Sequence, residues 1–400
     1  MAHQIRFDAW RRGLTLATTI GLLGMTSVAS TAAKREPMPP IQLAGLTAGE
    51  SARFDQGRQL FEQRFSPRQG LGPAFNARAC VACHRKPSIG GHGPGYRSNL
   101  RYNQSPNTSK GRLFHVRTIG RGPVEALPEN AFLSKRRPPT LLGLGLVEAI
   151  PEGAILKHAD PNDRDGDGIR GRAAMRGGHL LRFGSQAHVR SLLEFVADAL
   201  KQEMGLTSPL PGFDQEAVGF PLRRLARIRI PVPNLALETV RRLADFVALL
   251  APPSRETAFV GEDVAGRGEQ LFHDLACAQC HTPSFRTSPA PFVRVGDSDL
   301  DSTPALLDQE VAPYSDFLLH DLGPALDDGI ALGVARTSEY RTPPLWGVRH
   351  RQNLLLHDGR ANNLEQAILF HGGEAARARN RFLSLPAGQR RALIGFLKTL

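Results

Sequence analysis

Apolar residues recur at helical spacing in five segments of the chain, and these segments predict its principal elements. The predicted helices cover residues 53–65, 190–204, 238–249, 266–274 and 386–400. Alternating apolar and polar positions, which would indicate half-buried strands, are scarce along the chain. The pattern therefore predicts a mainly α fold.

Another apolar run, residues 14–28, differs from these segments in the residues that flank it. It follows a basic start with Arg6, Arg11 and Arg12, and small residues come after it through Ala33. This is the three-part build of an export signal, so we exclude residues 1–33 from the fold. The run falls short of the ~20 residues needed to span a bilayer. Membrane contact is expected only if the signal stays uncleaved as an anchor.

A short repeat divides the remaining chain. Gly-Arg-Gln-Leu-Phe at 57–61 matches Gly-Glu-Gln-Leu-Phe at 268–272, and each copy belongs to a helical pattern. Between the copies, Pro252 and Pro253 follow the predicted helix 238–249, and paired prolines stop a helix and stiffen a linker. The repeat and the prolines predict one domain over residues 41–252 and a second over 253–400.

Each copy of the repeat is followed by a Cys-x-x-Cys-His pentapeptide, and these two pentapeptides contain all four cysteines. The residues are Cys80, Cys83 and His84 in the first half and Cys277, Cys280 and His281 in the second. In such a pentapeptide the thiols add to the vinyl groups of a haem, and the imidazole is placed under the iron. The sequence therefore predicts two covalent haem c groups. Such attachment takes place outside the cytoplasm, so motifs and signal together predict a bacterial periplasmic protein.

Two other uses of the cysteines are a zinc site and disulfide bonds. Neither explains why a histidine follows both cysteine pairs. Residues 87–109 are rich in Gly, Pro, Ser and Asn, which predicts an ordered loop around a buried cofactor rather than a strand or helix.

The formal charge of +12 falls to +10 when residues 1–33, with three Arg and one Asp, are removed. A basic chain suggests nucleic acid as a partner, but the Arg residues are scattered without interleaved aromatic residues, and the compartment is wrong. We expect no nucleic-acid binding. The charge fits either steering of an acidic donor protein or anionic substrate, or a merely soluble basic surface.

Several segments resemble the bacterial di-haem oxidoreductase family. They are residues 70–76, 135–139, 143–150, 319–323 and 341–347. The family is similar to di-haem cytochrome c peroxidases and to the di-haem maturase of methylamine dehydrogenase. The resemblance implies two cytochrome c-like domains, the first enlarged by long ordered loops, with haems facing across the domain interface.

The resemblance also implies an axial ligand for the second haem. In the peroxidases this ligand follows a Thr-Pro segment, a His-Asp-Gly run and a short helix. Here that helix is residues 364–370, and the corresponding position is His371, where many peroxidases have Met and the maturase has Tyr. A histidine normally lowers the haem potential relative to a thioether. Met204 is a rival ligand, and a histidine at the haem edge is an alternative role for His371.

For the first haem the resemblance implies an acid–base group. Glu203 follows a predicted helix, as the distal Glu of the peroxidases does, and a carboxylate there could move a proton between the two oxygens of peroxide. The alternative without a catalytic role is a solvated Glu at a helix end. Two nearby histidines, His92 and His115, lie in no convincing family motif.

Three carboxylates alternate in Asp163, Asp165 and Asp167, with glycines next to them, as in the first half of a calcium loop. The twelfth position, where an EF-hand has a bidentate Glu, is Ala174, so a plain turn remains the alternative. By analogy with the peroxidases, carbonyl groups of Thr342 and Pro343 could also bind Ca²⁺.

The expected function is a peroxidase. A small electron-donor protein would deliver electrons through the second haem to an open first haem, which reduces peroxide; oxygen is the other ligand that an open iron could take. Two alternatives stay open: a non-catalytic electron-transfer cytochrome, and a maturase-like oxidase of a partner protein. Trp346, the only tryptophan outside the signal, is either a charge relay between the haems or a packed core residue.

Overall fold

Helices provide most of the regular structure in the computed structural model, which describes residues 38–94, 99–103, 111–119, 126–214, 232–258, 260–291, 303–351 and 353–400. They are Ala48–Glu62 (α1), Leu144–Ala149 (α2), Glu152–Leu156 (α3), Leu192–Met204 (α4), Leu237–Ala248 (α5), Glu262–Asp274 (α6), Leu364–Leu369 (α7), Ala376–Ser384 (α8) and Ala387–Thr399 (α9). The five helices predicted from periodicity and the short helix 364–370 implied by the resemblance are all present, with ends that differ from the prediction by up to five residues. The largest shift is at α1, where a capping box formed by Thr47 and Glu50 starts the helix earlier.

The strands are short, from two to five residues. They are Ala74–Phe75 (β1), Asn99–Asn103 (β2), Arg112–Leu113 (β3), Arg117–Thr118 (β4), Phe132–Arg136 (β5), Met175–Arg176 (β6), His179–Leu180 (β7), Phe285–Arg286 (β8), Glu310–Val311 (β9), Leu319–Asp321 (β10) and Glu339–Arg341 (β11). All their pairings are antiparallel, in the orders β1–β4, β3–β2–β5, β6–β7, β8–β9 and β10–β11.

Strand β2 corrects the prediction that residues 87–109 contain no strand. Asn99 pairs with Arg136 and Asn103 with Phe132, so the partner strand lies some thirty residues away in sequence. Both faces of β2 are partly or fully covered, and its side chains show no alternation of burial. Period-two patterning is the sequence signal of a strand, and it is absent here because neither face is open to solvent.

The Gly-x-Gln-Leu-Phe repeat at residues 57–61 and 268–272 occupies equivalent places in two helix pairs. Helix α1 packs on α5, and α6 packs on α9. A Cβ on Gly57 would collide with the backbone carbonyl of Arg242, and one on Gly268 would collide with that of Ala392. The repeat therefore keeps glycine where two helix backbones touch. Its phenylalanines, Phe61 and Phe272, are both buried.

Buried apolar residues form two main clusters. The larger includes α1, α2, α4 and α5 together with Phe285, Phe317 and Trp346, whereas the second is built from α6 to α9 and the segment 345–361. Residues 37–400 belong to one compact unit. The boundary predicted after residue 252 stays a prediction. The export signal predicted at 1–33 lies outside the described residues.

None of the helices in the described ranges is long and apolar enough to cross a bilayer.

Candidate functional site

Both Cys-x-x-Cys-His motifs line one cavity of about 440 Å³. Each motif folds as a 3-10 turn, Cys80–Ala82 and Cys277–Gln279, which follows α1 after seventeen residues in the first half and α6 after two residues in the second. The amide of each motif histidine donates to the carbonyl of the first cysteine, over 3.1 Å for His84 and 2.9 Å for His281. Each of the two turns therefore places two thiols and one imidazole on the cavity wall.

The two alternative uses of the cysteines find no support. All four thiols are free of disulfide bonds. Within the part of the chain that the structure describes, the one group of three or more His, Cys, Asp or Glu side chains close enough to hold an ion is Asp163, Asp165 and Asp167. The cysteines therefore belong to no zinc cluster there.

Each motif histidine is held as a neutral imidazole with one ring nitrogen unprotonated. His84 Nδ1 lies 3.0 Å from the carbonyl oxygen of Pro139, and His281 Nδ1 lies 2.9 Å from that of Tyr314. A carbonyl can only accept, so each Nδ1 carries the proton and donates, and each Nε2 keeps its lone pair for a metal. Burial lowers the pKa of both imidazoles to about 4. The two rings are thus preset for iron ligation.

His371 faces His281 across the same cavity. The centroids of the two rings are 6.5 Å apart. Two imidazoles on opposite sides of one metal have centroids about 6.3 Å apart, because each metal–nitrogen bond is about 2.0 Å. His371 Nδ1 donates to the carbonyl of Ala367 over 2.7 Å, which leaves its Nε2 lone pair free, and burial lowers its pKa. Its position at the end of α7 is the one that the sequence predicted.

Glu203 lines the first half of the cavity at the end of α4. Its two carboxylate oxygens accept from the side-chain amides of Asn76, over 2.9 Å, and Asn99, over 2.5 Å. The pKa of Glu203 is raised by burial, although Asn76 and the nearby Arg101 oppose the shift. The carboxyl group is therefore oriented, and its pKa is higher than that of a solvated Glu at a helix end.

The end of α4 is fixed by the segment that carries part of the family resemblance. The amide of Gly72 donates to the carbonyl of Met204 over 2.8 Å, and that of Asn76 donates to the carbonyl of Glu203 over 2.7 Å. Gly205 follows with φ of 68°, and a Cβ there would press on the backbone of Gly72. Residues 70–76 and Glu203 are one structural unit, although 127 positions separate Asn76 from Glu203.

The other predicted or rival residues have clear places. Met204 is buried and also lines the cavity. His92 lines it too, but its Nδ1 and Nε2 lie 2.8 Å and 3.0 Å from the carbonyls of Gly93 and His350, so neither nitrogen is aimed at a metal. His115 Nε2 lies 2.7 Å from the carbonyl of Gln202, outside the cavity wall. Trp346 is 5% exposed in the larger core cluster, and it does not line the cavity.

The loop that contains Asp163, Asp165 and Asp167 brings the three carboxylates together and also contacts the second motif. Ligand oxygens of Asp163, Asp165 and Asp167 lie within 4.8 Å of one another. Each accepts a backbone N–H of the loop, and Asp167 also accepts from Gln279 Nε2 over 2.5 Å. Gln279 is inside the second haem motif. The carbonyl of Thr342 already accepts from Ser315 and Arg341, so it is engaged elsewhere.

Sequence reasoning missed a charged triad beside Cys280. His320 is buried, and it lies 2.8 Å from Asp316 through Nε2 and 2.7 Å from Glu374 through Nδ1. Burial by itself lowers the pKa of His320, but Cys280 and Asp316 raise it well above its ordinary value. His320 Nδ1 is 3.6 Å from the Sγ atom of Cys280. The only sequence signal was its place in the 319–323 segment.

Buried arginines test whether the cavity suits a haem. Nε and Nη1 of Arg136 and Nε of Arg351 are buried atoms without a hydrogen-bond partner, and both side chains line the cavity. Burial lowers the pKa of Arg351 and of Arg341, another lining residue, to about 10. Arg136 already pairs through Nη2 with Asp328 over 2.8 Å, which leaves its Nε and Nη1 without partners. Buried guanidinium groups with unpaired N–H groups need further acceptors. The propionates of two haems supply carboxylates of this kind, so the residues present fit the group.

Comparison with known proteins gives one family match. The sequence model of the family described as "Di-haem oxidoreductase, putative peroxidase" matches residues 124–400. No curated protein sequence matches the chain. Hydrazine synthase from Kuenenia stuttgartiensis is 14% identical, with 96% of this chain and 100% of that chain covered and a TM-score of 0.38. A MauG-like protein associated with microbial copper homeostasis is 15% identical, with coverages of 92% and 93% and a TM-score of 0.37.

Proposed function

The chain belongs to the di-haem oxidoreductase family, and on this premise we propose that it is a periplasmic peroxidase with two covalent haem c groups. The carrying observation is that both motifs and Glu203 line one cavity. When bound, the haems supply one-electron redox chemistry and, at an iron with a free coordination position, a place for peroxide.

The two motifs would have different roles in this peroxidase. Cys80 and Cys83 would hold the first haem and His84 its iron, and His92, with both ring nitrogens facing backbone carbonyls, would not be a second ligand. Cys277 and Cys280 would hold the second haem, while His281 and His371 would both bind its iron. A centre with both positions filled passes electrons only, so it suits delivery from a small electron-donor protein.

Glu203 would move the proton in peroxide cleavage. It takes a proton from the near oxygen of hydrogen peroxide and returns it to the leaving oxygen. Two electrons, delivered one at a time, and two protons convert one peroxide into two water molecules. Asn76 and Asn99 hold the carboxylate in one orientation, and burial keeps its proton affinity high enough to return the proton.

Two further parts of the proposal lie outside the cavity. Residues 1–33 would direct export, and Asp163, Asp165 and Asp167 would bind Ca²⁺. The loop reaches the second motif through Gln279, so the ion would support that motif without touching the iron.

Peroxide turnover of the holoprotein with the neutral quinol duroquinol as electron donor tests the proposal. Glu203→Gln keeps the side-chain size but cannot accept the proton, so turnover is expected to fall by about 10²–10⁴-fold with unchanged haem loading. Glu194→Gln, on the same helix but outside the cavity, is the matched control and should keep the parent rate. A parent protein inert to peroxide would instead favour the electron-transfer cytochrome.

A further inference from the structure

The C-terminal segment of the chain carries only positive charge. Residues 376–400 contain six basic side chains and no acidic one, although the whole chain has 38 Asp and Glu against 50 Lys and Arg. We call the solvent-facing side of α8 and α9 the basic C-terminal face; its basic residues are Arg377, Arg381, Arg390, Arg391 and Lys398, of which Arg377, Arg391 and Lys398 are exposed. Only Leu385 and Pro386 separate the two helices, so their charges are close together.

The charges on this face are largely uncompensated. Arg377 and Arg391 are exposed and form no ion pair with any residue that the structure describes. The single ion pair of the face joins Arg390 to Glu365 over 4.0 Å, between side chains 35% and 53% exposed, and such a pair contributes little. The face therefore presents a positive potential to solvent.

The same two helices form the wall of the cavity at the second motif. Ala378, Arg379 and Phe382 of α8 line the cavity, as do Leu393 and Leu397 of α9. Arg377 and Arg381, four residues apart, share another side of α8. A helix with its side chains is about 10 Å across. A protein bound to the basic C-terminal face would thus lie about one helix diameter from the cavity that contains His281 and His371.

Exposed apolar side chains accompany the charges. Leu369, at the end of α7 and two residues before His371, is 40% exposed, and Leu383 on α8 is 50% exposed. Apolar contacts surrounded by charges suit a small transient interface, in which charge complementarity guides the encounter and sets its rate.

The geometry points to the basic C-terminal face as the docking site of an acidic, one-electron donor protein. This inference rests on the proposed function, because it assigns the donor of that peroxidase a place and a sign of charge. In each encounter the donor loses one electron and the centre at the second motif gains it; no bond is made or broken. Residues 63–124 also contain no Asp or Glu, but they belong to the half of the chain that carries the first motif.

The test measures one-electron reduction of the oxidised holoprotein by stopped-flow absorbance, with an acidic ferrocytochrome c as the donor probe. Arg377→Glu/Arg391→Glu should slow reduction at least tenfold at about 10 mM salt, and the difference should shrink at about 0.5 M salt, where the Debye length is a few ångströms. Arg377→Gln/Arg391→Gln should show an intermediate loss.

The matched control is Arg64→Glu/Arg68→Glu, which reverses two exposed arginines in the first half and changes net charge equally. It should stay within about twofold of the parent. Duroquinol, a neutral reductant, should reduce all variants at the parent rate, which shows that the second haem is intact. A basic mitochondrial ferrocytochrome c should react more slowly than the acidic one at low salt.

Three outcomes would overturn the docking site: equal slowing by both charge-reversed pairs, a parent rate independent of salt, or faster reduction by the basic cytochrome. None of these measurements uses peroxide. If peroxide turnover with duroquinol is absent while the salt and charge effects are present, the peroxidase function fails and the docking site stands.

Discussion

His371 determines whether the centre at the second motif is closed. Its ring lies 6.5 Å from that of His281, with the Nε2 lone pair free. His371→Met is expected to keep the haem low-spin and raise its potential on the order of 100 mV, because a thioether is a softer ligand. His371→Gly should open the iron to carbon monoxide. Redox titration and carbon monoxide difference spectra check this, and a parent-like result for both variants would mean that another side chain is the ligand.

The buried Glu203 is expected to lower the stability of the folded protein at neutral pH. Burial raises its pKa in the folded protein above the ordinary value of 4.5, so folding favours the protonated form. Its contribution to stability is therefore complete at low pH and is lost as the pH rises through the folded pKa. Glu203→Gln should raise the Tm at neutral pH by a few degrees, and this gain should vanish towards pH 4.5. A Tm difference that is the same at every pH would contradict the shift.

At the scale of elements, the repeated glycines allow two helix contacts. A Cβ at Gly57 or Gly268 would meet a backbone carbonyl, which cannot move aside as a side chain can. Gly57→Ala and Gly268→Ala are each expected to lower the free energy of unfolding by about 1–3 kcal/mol.

The matched controls are Gly49→Ala in α1 and Gly266→Ala in α6, where a Cβ meets open space. These should raise the free energy of unfolding by about 0.5–1 kcal/mol, because alanine favours helix. Denaturant unfolding of the holoprotein measures all four. Equal effects at the packed and open positions would remove the close-approach explanation of the repeat.

The loop of Asp163, Asp165 and Asp167 is the second element with a testable role. If it binds Ca²⁺, a chelator should lower the Tm of the holoprotein, and Asp165→Ala should abolish that response, because the ligand set loses one of its three carboxylates. Asp55→Ala, an exposed carboxylate on α1, should leave the response intact. A parent protein insensitive to chelators would make the loop a plain turn.

At the scale of the whole molecule, the sequence predicted the features that are local. Helical periodicity, together with the family resemblance for 364–370, predicted six helices. The Cys-x-x-Cys-His motifs predicted two of the segments that line the cavity. Pairings between distant segments were not predictable in the same way. Asn99 and Asn76 reach Glu203 only because β2 and the 70–76 segment fold beside α4, and neither residue carries a local signal. The triad of Asp316, His320 and Glu374 likewise forms across more than fifty residues.

The central claim is that the first motif serves an open iron and the second a closed one. Low-temperature electron paramagnetic resonance of the holoprotein tests it most directly, on the fully oxidised protein and on the form reduced by one electron. The account predicts a low-spin signal from the second centre that disappears on reduction, and a high-spin signal from the first centre in one or both states. Two low-spin signals in the oxidised protein, with the remaining one unchanged after one-electron reduction, would contradict it.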